Sequence, residues 1–176
     1  RILSLRQKLA LGFGGLLVII ASIGIHNITR IIALGQSIDV ILRENYRSVV
    51  ACQEMKEALE RMDSGAVFVL LGAEQKGNDQ IAQNEARFEK ALKVELGNIT
   101  LPGEGEKAER LKQHFGQFRS DIQVMGNPGF GREARRKAYF DNLLPLFQRM
   151  KETADDILRM NQENMVAMDA RALGQA

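Results

Sequence analysis

Hydrophobic positions divide the chain into two unlike parts. Leu9 to Thr29 run for 21 positions without a charged side chain, directly after Arg1, Arg6 and Lys8. As a helix rising about 1.5 Å per residue this stretch is roughly 31 Å long, close to the thickness of a bilayer's hydrocarbon core. After Arg30 the pattern becomes charged and heptad-like, broken by only a few turns. Along the first helix of this second part a 3-4 spacing holds through Ile38, Ile41, Asn45, Ser48, Cys52, Met55, Leu59, Met62, Ala66 and Val69. It stops at Gly72, and Lys76-Gly77-Asn78 reads as the turn. A second helix is predicted over about Asp79 to Asn98, with Ile81, Phe88, Leu92, Leu96 and Ile99 on one side.

Leu101-Pro102-Gly103-Glu104-Gly105 breaks that helix. A third carries Ala108, Leu111, Phe115, Phe118, Ile122 and Met125, and ends at Gly126-Asn127-Pro128-Gly129. The fourth is predicted from about Arg132 to Leu173, with Leu143, Leu146, Met150, Thr153, Ile157, Met160, Asn164 and Ala167 in register. Pro145 removes one backbone hydrogen bond and crowds the carbonyl of Asp141, so a kink or restart is expected there. A seam of period 3.5 on all four segments argues for a left-handed bundle. The predicted fold is all-α: an antiparallel up-down four-helix bundle, residues 30–176, with an N-terminal transmembrane helix, residues 1–29, continuous with helix 1.

The first and fourth helices are each about 63 Å long, and the middle two reach only half that. The half nearer the membrane, about residues 30–50 and 154–173, is therefore expected to hold two helices per chain. Two helices cannot enclose a core, so a homodimer through the stem of helices 1 and 4 is predicted. Ala66-Val67-Phe68-Val69-Leu70-Leu71, apolar all round, lies at the far tip and should be covered by the Phe130 loop or by a partner chain.

The basic cluster before the apolar run predicts an N-terminus that stays in the cytoplasm and a bundle outside, in the periplasm of a Gram-negative cell. A cleaved signal peptide is the competing reading. Its apolar core is shorter, about 7 to 15 residues, and ends at a small-x-small site, for which Ser22-Ile23-Gly24 is the only weak candidate. His26 reads as an interfacial residue. A net charge of +2 with no basic run interleaved with aromatics excludes nucleic acid as the expected partner. The single cysteine, Cys52, excludes an internal disulfide and any CxxC metal site, and its place in the stripe predicts a buried, inert thiol. Asn98-Ile99-Thr100 matches a glycosylation sequon, read as chance in a bacterial setting. No catalytic constellation, phosphate loop or cofactor motif is present, so neither catalysis nor a cofactor is expected of this chain. Asp155-Asp156, Glu57, Glu60 and Arg61 read as solvated charge.

Polar residues inside the seam say more. Asn45 and Ser48 fall on core positions of helix 1, and Asn164, with neighbouring Asn161, on helix 4. Asn45 lies 27 residues before Gly72, and the same distance from Arg132 reaches Arg159, which puts Asn161 within about 3 Å of the same height. A polar layer is thus predicted across the stem. Three readings stand open for it. Buried Asn can fix helix register at some cost in stability. A weakened layer can let helix 4 slide or rotate against helix 1. Or Arg43 and Arg47, one turn apart, bind a small anionic ligand with Asn45 and Gln162, relieving their mutual repulsion.

Glu44-Asn45-Tyr46-Arg47-Ser48-Val49, Asn98-Ile99-Thr100-Leu101-Pro102-Gly103-Glu104 and Asn161-Gln162 resemble the KinB type of sensor histidine kinase. Together with a span followed by an extracytoplasmic helical bundle, they make the chain look like a four-helix sensor domain of a bacterial transmembrane receptor. The resemblance implies the signal-input part of a two-component system in the inner membrane. A complete receptor carries a second span and a kinase core, so the chain is expected to be the front end of a longer protein. Neither His26 nor His114 has the context of a phosphoacceptor. Chemoreceptor sensor domains share the architecture. A membrane-tethered adaptor that binds a periplasmic protein through the apolar tip is the alternative of a different class.

Overall fold

The computed structural model describes residues 4–127 and 129–174, with side chains placed for all of these except 8, 10, 31–34, 36–41 and 171–174. Arg1 and the side chains of Lys8, Ile38, Ile41 and Leu173 therefore lie outside the described residues. The described residues are helical with no strand: α1 Leu5–Leu70, α2 Glu74–Leu96, α3 Glu104–Met125, α4 Arg132–Ala138, a π-helical turn Tyr139–Leu143, and α5 Leu144–Gly174. The protein is all-α. It divides into two compact units, Arg1–Val40 and Ile41–Ala176.

In the first unit, Leu5–Arg30 is long and apolar enough to cross a membrane, with a mean hydropathy of 2.1 and none of it buried. Leu9, Phe13, Leu16, Ile20 and Ile28 are more than half exposed. Its two hydroxyl groups bond within the helix: Ser22 Oγ donates to the Val18 carbonyl at 2.7 Å, and Thr29 Oγ1 to that of His26 at 2.9 Å. A segment surrounded by hydrocarbon needs this, because lipid offers no hydrogen-bond partner.

In the second unit one core joins α1, α2, α3, the π-helical turn and α5. Cys52, Met55, Leu59, Met62, Ala66 and Val69 of α1 are at most 2% exposed, as their spacing predicts. Ile81, Phe88 and Leu92 of α2, with Ala108, Leu111, Phe115, Phe118 and Met125 of α3, join the same cluster. The Phe88 and Phe115 rings stack with centroids 4.2 Å apart. Ile99 is 42% exposed and follows the end of α2, so the second helix is shorter at this end than its apolar pattern suggests.

At its other end α2 begins five residues earlier than expected. The reversal is at Gly72, φ +89°, where Ala73 N–H donates to Phe68 O at 2.9 Å and Gly72 N–H to Val69 O at 3.1 Å. This crossed pair satisfies the last carbonyls of α1 and needs a left-handed residue at Gly72. Gly77 is no turn residue. A Cβ there would stand 2.5 Å from the Gly65 carbonyl oxygen and 2.7 Å from Val69 Cγ2. Two facing glycines thus let α1 and α2 cross backbone to backbone.

The fourth predicted helix is divided. The Leu144 N–H donates to Tyr139 O, five residues back, giving one wide turn immediately before Pro145. Proline cannot donate to the Asp141 carbonyl, and the chain restarts as α5 at Leu144. Along α5 the buried positions are Leu146, Met150, Ala154, Ile157 and Asn161, while Thr153, Met160 and Asn164 are only partly buried and Ala167 is exposed. The buried stripe follows 3.6 residues per turn where a strict heptad predicts 3.5, and the difference accumulates over two heptads.

Surface charge connects neighbouring helices more than expected. Lys56 pairs with Asp155, Lys107 with Asp156 at 2.6 Å, and Arg87 with Glu54 at 2.9 Å and Glu57 at 3.3 Å. The two lysine pairs are half-buried and the Arg87 pairs exposed, and pairs reached by water are individually weak.

The glycine crossing yields a test by paired substitutions. Gly77→Ala is expected to lower stability by about 1–3 kcal/mol through overpacking. Gly116→Ala, where an added Cβ meets nothing within 4 Å, should raise it by about 0.4–1 kcal/mol. Thermal unfolding of the detergent-solubilised chain reads both signs.

A buried polar layer as candidate functional site

Where α2 gives way to α3, the linker returns against α1 and α5 and closes the apolar core with a polar layer. Asn45 and Ser48 of α1, Glu95 of α2, Glu104 of α3 and Asn161 of α5 are each 0% exposed, and Asn98 of the linker is 4% exposed. Asn98 Nδ2 donates to the Glu44 carbonyl at 2.8 Å and to Ser48 Oγ at 2.9 Å, which fastens the end of α2 to α1. Thr100 Oγ1 donates to Asn45 Oδ1 at 3.2 Å.

Glu104 is the hub. Its Oε2 accepts from the backbone N–H of Thr100 at 2.6 Å and of Leu101 at 2.9 Å. Its Oε1 accepts from Asn161 Nδ2 at 2.5 Å, and the same amide donates to Ile157 O at 3.0 Å. Gly103 (φ +81°) precedes it and turns the chain into α3. A carboxylate in the first turn of a helix also meets the favourable end of the helix dipole. One side chain thereby ties the linker, α3 and α5 together, while Thr100 extends the network to α1.

Glu95 is placed quite differently. Neither of its oxygens has a well-formed hydrogen bond, and the polar groups facing it are Ser48 and Glu104. Burial first, then the neighbouring Glu104 carboxylate, raise its pKa to about 7, with Ser48 opposing. Asn45 Nδ2 and Asn161 Oδ1 also lack partners. The layer is thus partly satisfied, which makes it energetically costly and sensitive to small displacements. Cys52 lies nearby; burial, then Glu95, Glu104 and Asp155, push its thiol far above its ordinary range, so it is inert.

The residues singled out from the sequence separate into two sets. Asn45, Ser48 and Asn161 all lie in the layer, and Asn164 is half-buried outside it. Arg43, Arg47 and Gln162 are exposed, and Arg47 lies 3.9 Å from Glu44 on its own helix. Asn45 turns inward, away from both arginines. The layer is also not a feature of two helices alone, because the linker and two carboxylates complete it. Asn98, which opens the sequon and one of the strings quoted above, is buried and bonded, which leaves its amide unavailable for glycosylation. Glu95 was legible in principle: with Phe88 and Leu92 it continues the 3-4 stripe of α2, so a charged residue sits on a core position. Glu104 gave a weaker signal, four residues after Thr100 where a capping box requires three. No family model matches the chain, and no curated protein matches it.

Glu95 dictates a pH dependence with a definite sign. Its folded pKa, about 7, exceeds the ordinary 4.5. The unfolded chain therefore loses its proton first, and the folded state weakens as pH rises from 4.5 to 7. Glu95→Gln should match wild type below pH 4.5 and exceed it above pH 7, by roughly 1–3 kcal/mol. Thermal unfolding of both proteins across this range checks it; a constant difference at every pH would contradict the assignment.

Proposed function

We propose that the chain is the extracytoplasmic signal-input region of a membrane-bound two-component sensor histidine kinase. In this reading it is an antiparallel up-down four-helix bundle whose first helix continues from a transmembrane helix. The N-terminus is cytoplasmic, the bundle lies in the periplasm, and two copies pair along the membrane-near parts of α1 and α5. The chain itself transmits and does not catalyse.

One observation carries this reading. The three strings that resemble KinB-type sensors are the three segments that meet in the polar layer: the first contributes Asn45 and Ser48, the second Asn98, Thr100 and Glu104, the third Asn161. Antiparallel packing is supported by pairs whose numbers run in opposite directions, with Ser48 near Asn98, Arg61 near Gln80, and Gly65 near Gly77. The membrane reading is supported by the apolar Leu5–Arg30 segment.

The layer links α1 and α5, the two helices that would continue to the membrane, through groups that are incompletely hydrogen-bonded. Packed helix interfaces switch between discrete arrangements over about 1–2 Å. A layer with unpaired donors and acceptors lowers the cost of a second arrangement, and an effector shifts the balance through its different affinity for the two. With Arg43, Arg47 and Gln162 outside the layer, displacement of α5 against α1 is favoured over an anion site at those arginines.

The test joins the chain to the second span and kinase core of a histidine kinase and measures autophosphorylation in membranes. Asn45→Leu replaces an under-bonded amide by an apolar side chain and should bias one arrangement, changing basal output roughly fivefold or more. Output unchanged in a variant that folds and inserts normally would count against transmission through the layer.

A further inference from the structure

A second feature lies near the α1–α2 reversal, away from the polar layer. Val67 and Leu70 of α1, with Leu71 of the turn after it, face Tyr139 and Phe140 of the π-helical turn across an open groove of about 380 Å³, and Arg132 and Arg136 of α4 also line it. That volume lies at the lower end of small-molecule pockets, roughly 300–1,000 Å³. The Phe130 loop leaves it open: Phe130 is 43% exposed, Leu71 74% and Phe140 52%.

The groove is held rather than incidental. Tyr139 is buried, and its hydroxyl donates to Asp63 Oδ1 at 2.9 Å, which fixes the wide turn against α1. The wide turn presents consecutive aromatic residues, one inward and one outward, with the Phe140 ring edge-on to Tyr139 at 5.1 Å. Single π-turns inside helices recur at functional sites.

Its charge is one-sided. Arg132 to Lys137 contains four basic side chains and one acid, Glu133. Arg135 is committed to Glu74 at 2.5 Å. Arg136 meets only Glu133, in a pair open to water on both sides, and Arg132 has no carboxylate partner among the described residues. Apolar walls with two guanidinium groups one helical turn apart match one kind of occupant.

We propose that this groove binds a small anionic amphiphile, an acyl carboxylate whose chain lies along Val67, Leu70, Leu71 and Phe140 while Arg132 and Arg136 hold its head. Guanidinium groups pair with carboxylates in a planar, two-bond geometry, and a ligand head would replace the weak, solvated Glu133 contact. A recess of this volume suits one short chain. Such binding is a property of the chain whether or not it serves a receptor.

The chain contains no Trp, so Phe140→Trp installs a single fluorescent reporter on one wall, and Leu71→Trp does so on the facing wall. The chain, held in neutral phosphatidylcholine nanodiscs, is titrated with octanoate, octanol and acetate. Both reporters should give a saturable blue shift with octanoate, octanol should bind about tenfold more weakly, and acetate should give no response. Arg132→Gln with Arg136→Gln, both exposed, should reduce octanoate to the octanol level and leave the melting temperature unchanged. Silence of both reporters, equal affinity for octanoate and octanol, or an equal response to acetate would overturn the proposal. So would a blue shift that tracks protein concentration without octanoate, which would assign the groove to a second copy of the chain.

Discussion

The second unit depends on how the Glu104 carboxylate is held. Its oxygens collect two backbone N–H groups from the linker and the Asn161 amide from α5, all in a place closed to water. Remove those donors and a buried carboxylate faces an apolar core beneath Cys52 and Ala108, at a cost of several kcal/mol. Asn161 therefore has to face α3, which rotates α5 at this level. The buried stripe of α5 accordingly follows Ala154, Ile157 and Asn161. The hub also fixes the linker, and the linker in turn fixes α1 through Asn98 and Thr100. A single acidic side chain in the first turn of α3 thus sets the register of three other segments.

The same layer is deliberately incomplete. Glu104 is well supplied with donors, whereas Glu95, fully buried beside it, has none that is well formed. Two carboxyl groups at close quarters in a dry site favour a state in which one of them keeps its proton. Burial is the larger reason that Glu95 is displaced upward to about 7, and the Glu104 carboxylate adds to it. An apolar layer built from Leu or Ile would hold α1 and α5 more firmly but would offer fewer ways of rearranging them. The proposed role in signal input draws on that difference.

Much of the architecture was legible because it rests on periodicity. The α1 stripe from Asn45 to Val69, the α3 stripe and the equal height of Asn45 and Asn161 all follow from helix geometry. One error came from reading glycine as punctuation: Gly77 is a packing residue opposite Gly65. The restart expected at Pro145 is present, and only its form, a π-turn, goes beyond what the local pattern announces. Glu95 and Glu104 were passed over because charged residues are ordinarily solvated. Their burial depends on donors brought from the linker and α5, which no single-helix pattern contains. The groove beside Tyr139 was likewise invisible, since it arises only when the wide turn meets the end of α1.

The central claim is that Glu104 and Asn161 act as one unit across two helices. A double-mutant cycle measures this directly, using thermal or denaturant unfolding of wild type, Glu104→Gln, Asn161→Leu and the double variant. A coupling energy of about 1–3 kcal/mol is predicted, because either substitution alone strands the other partner in a dry site. Losses that add to within about 0.5 kcal/mol would show the two side chains to be independent and would contradict the account.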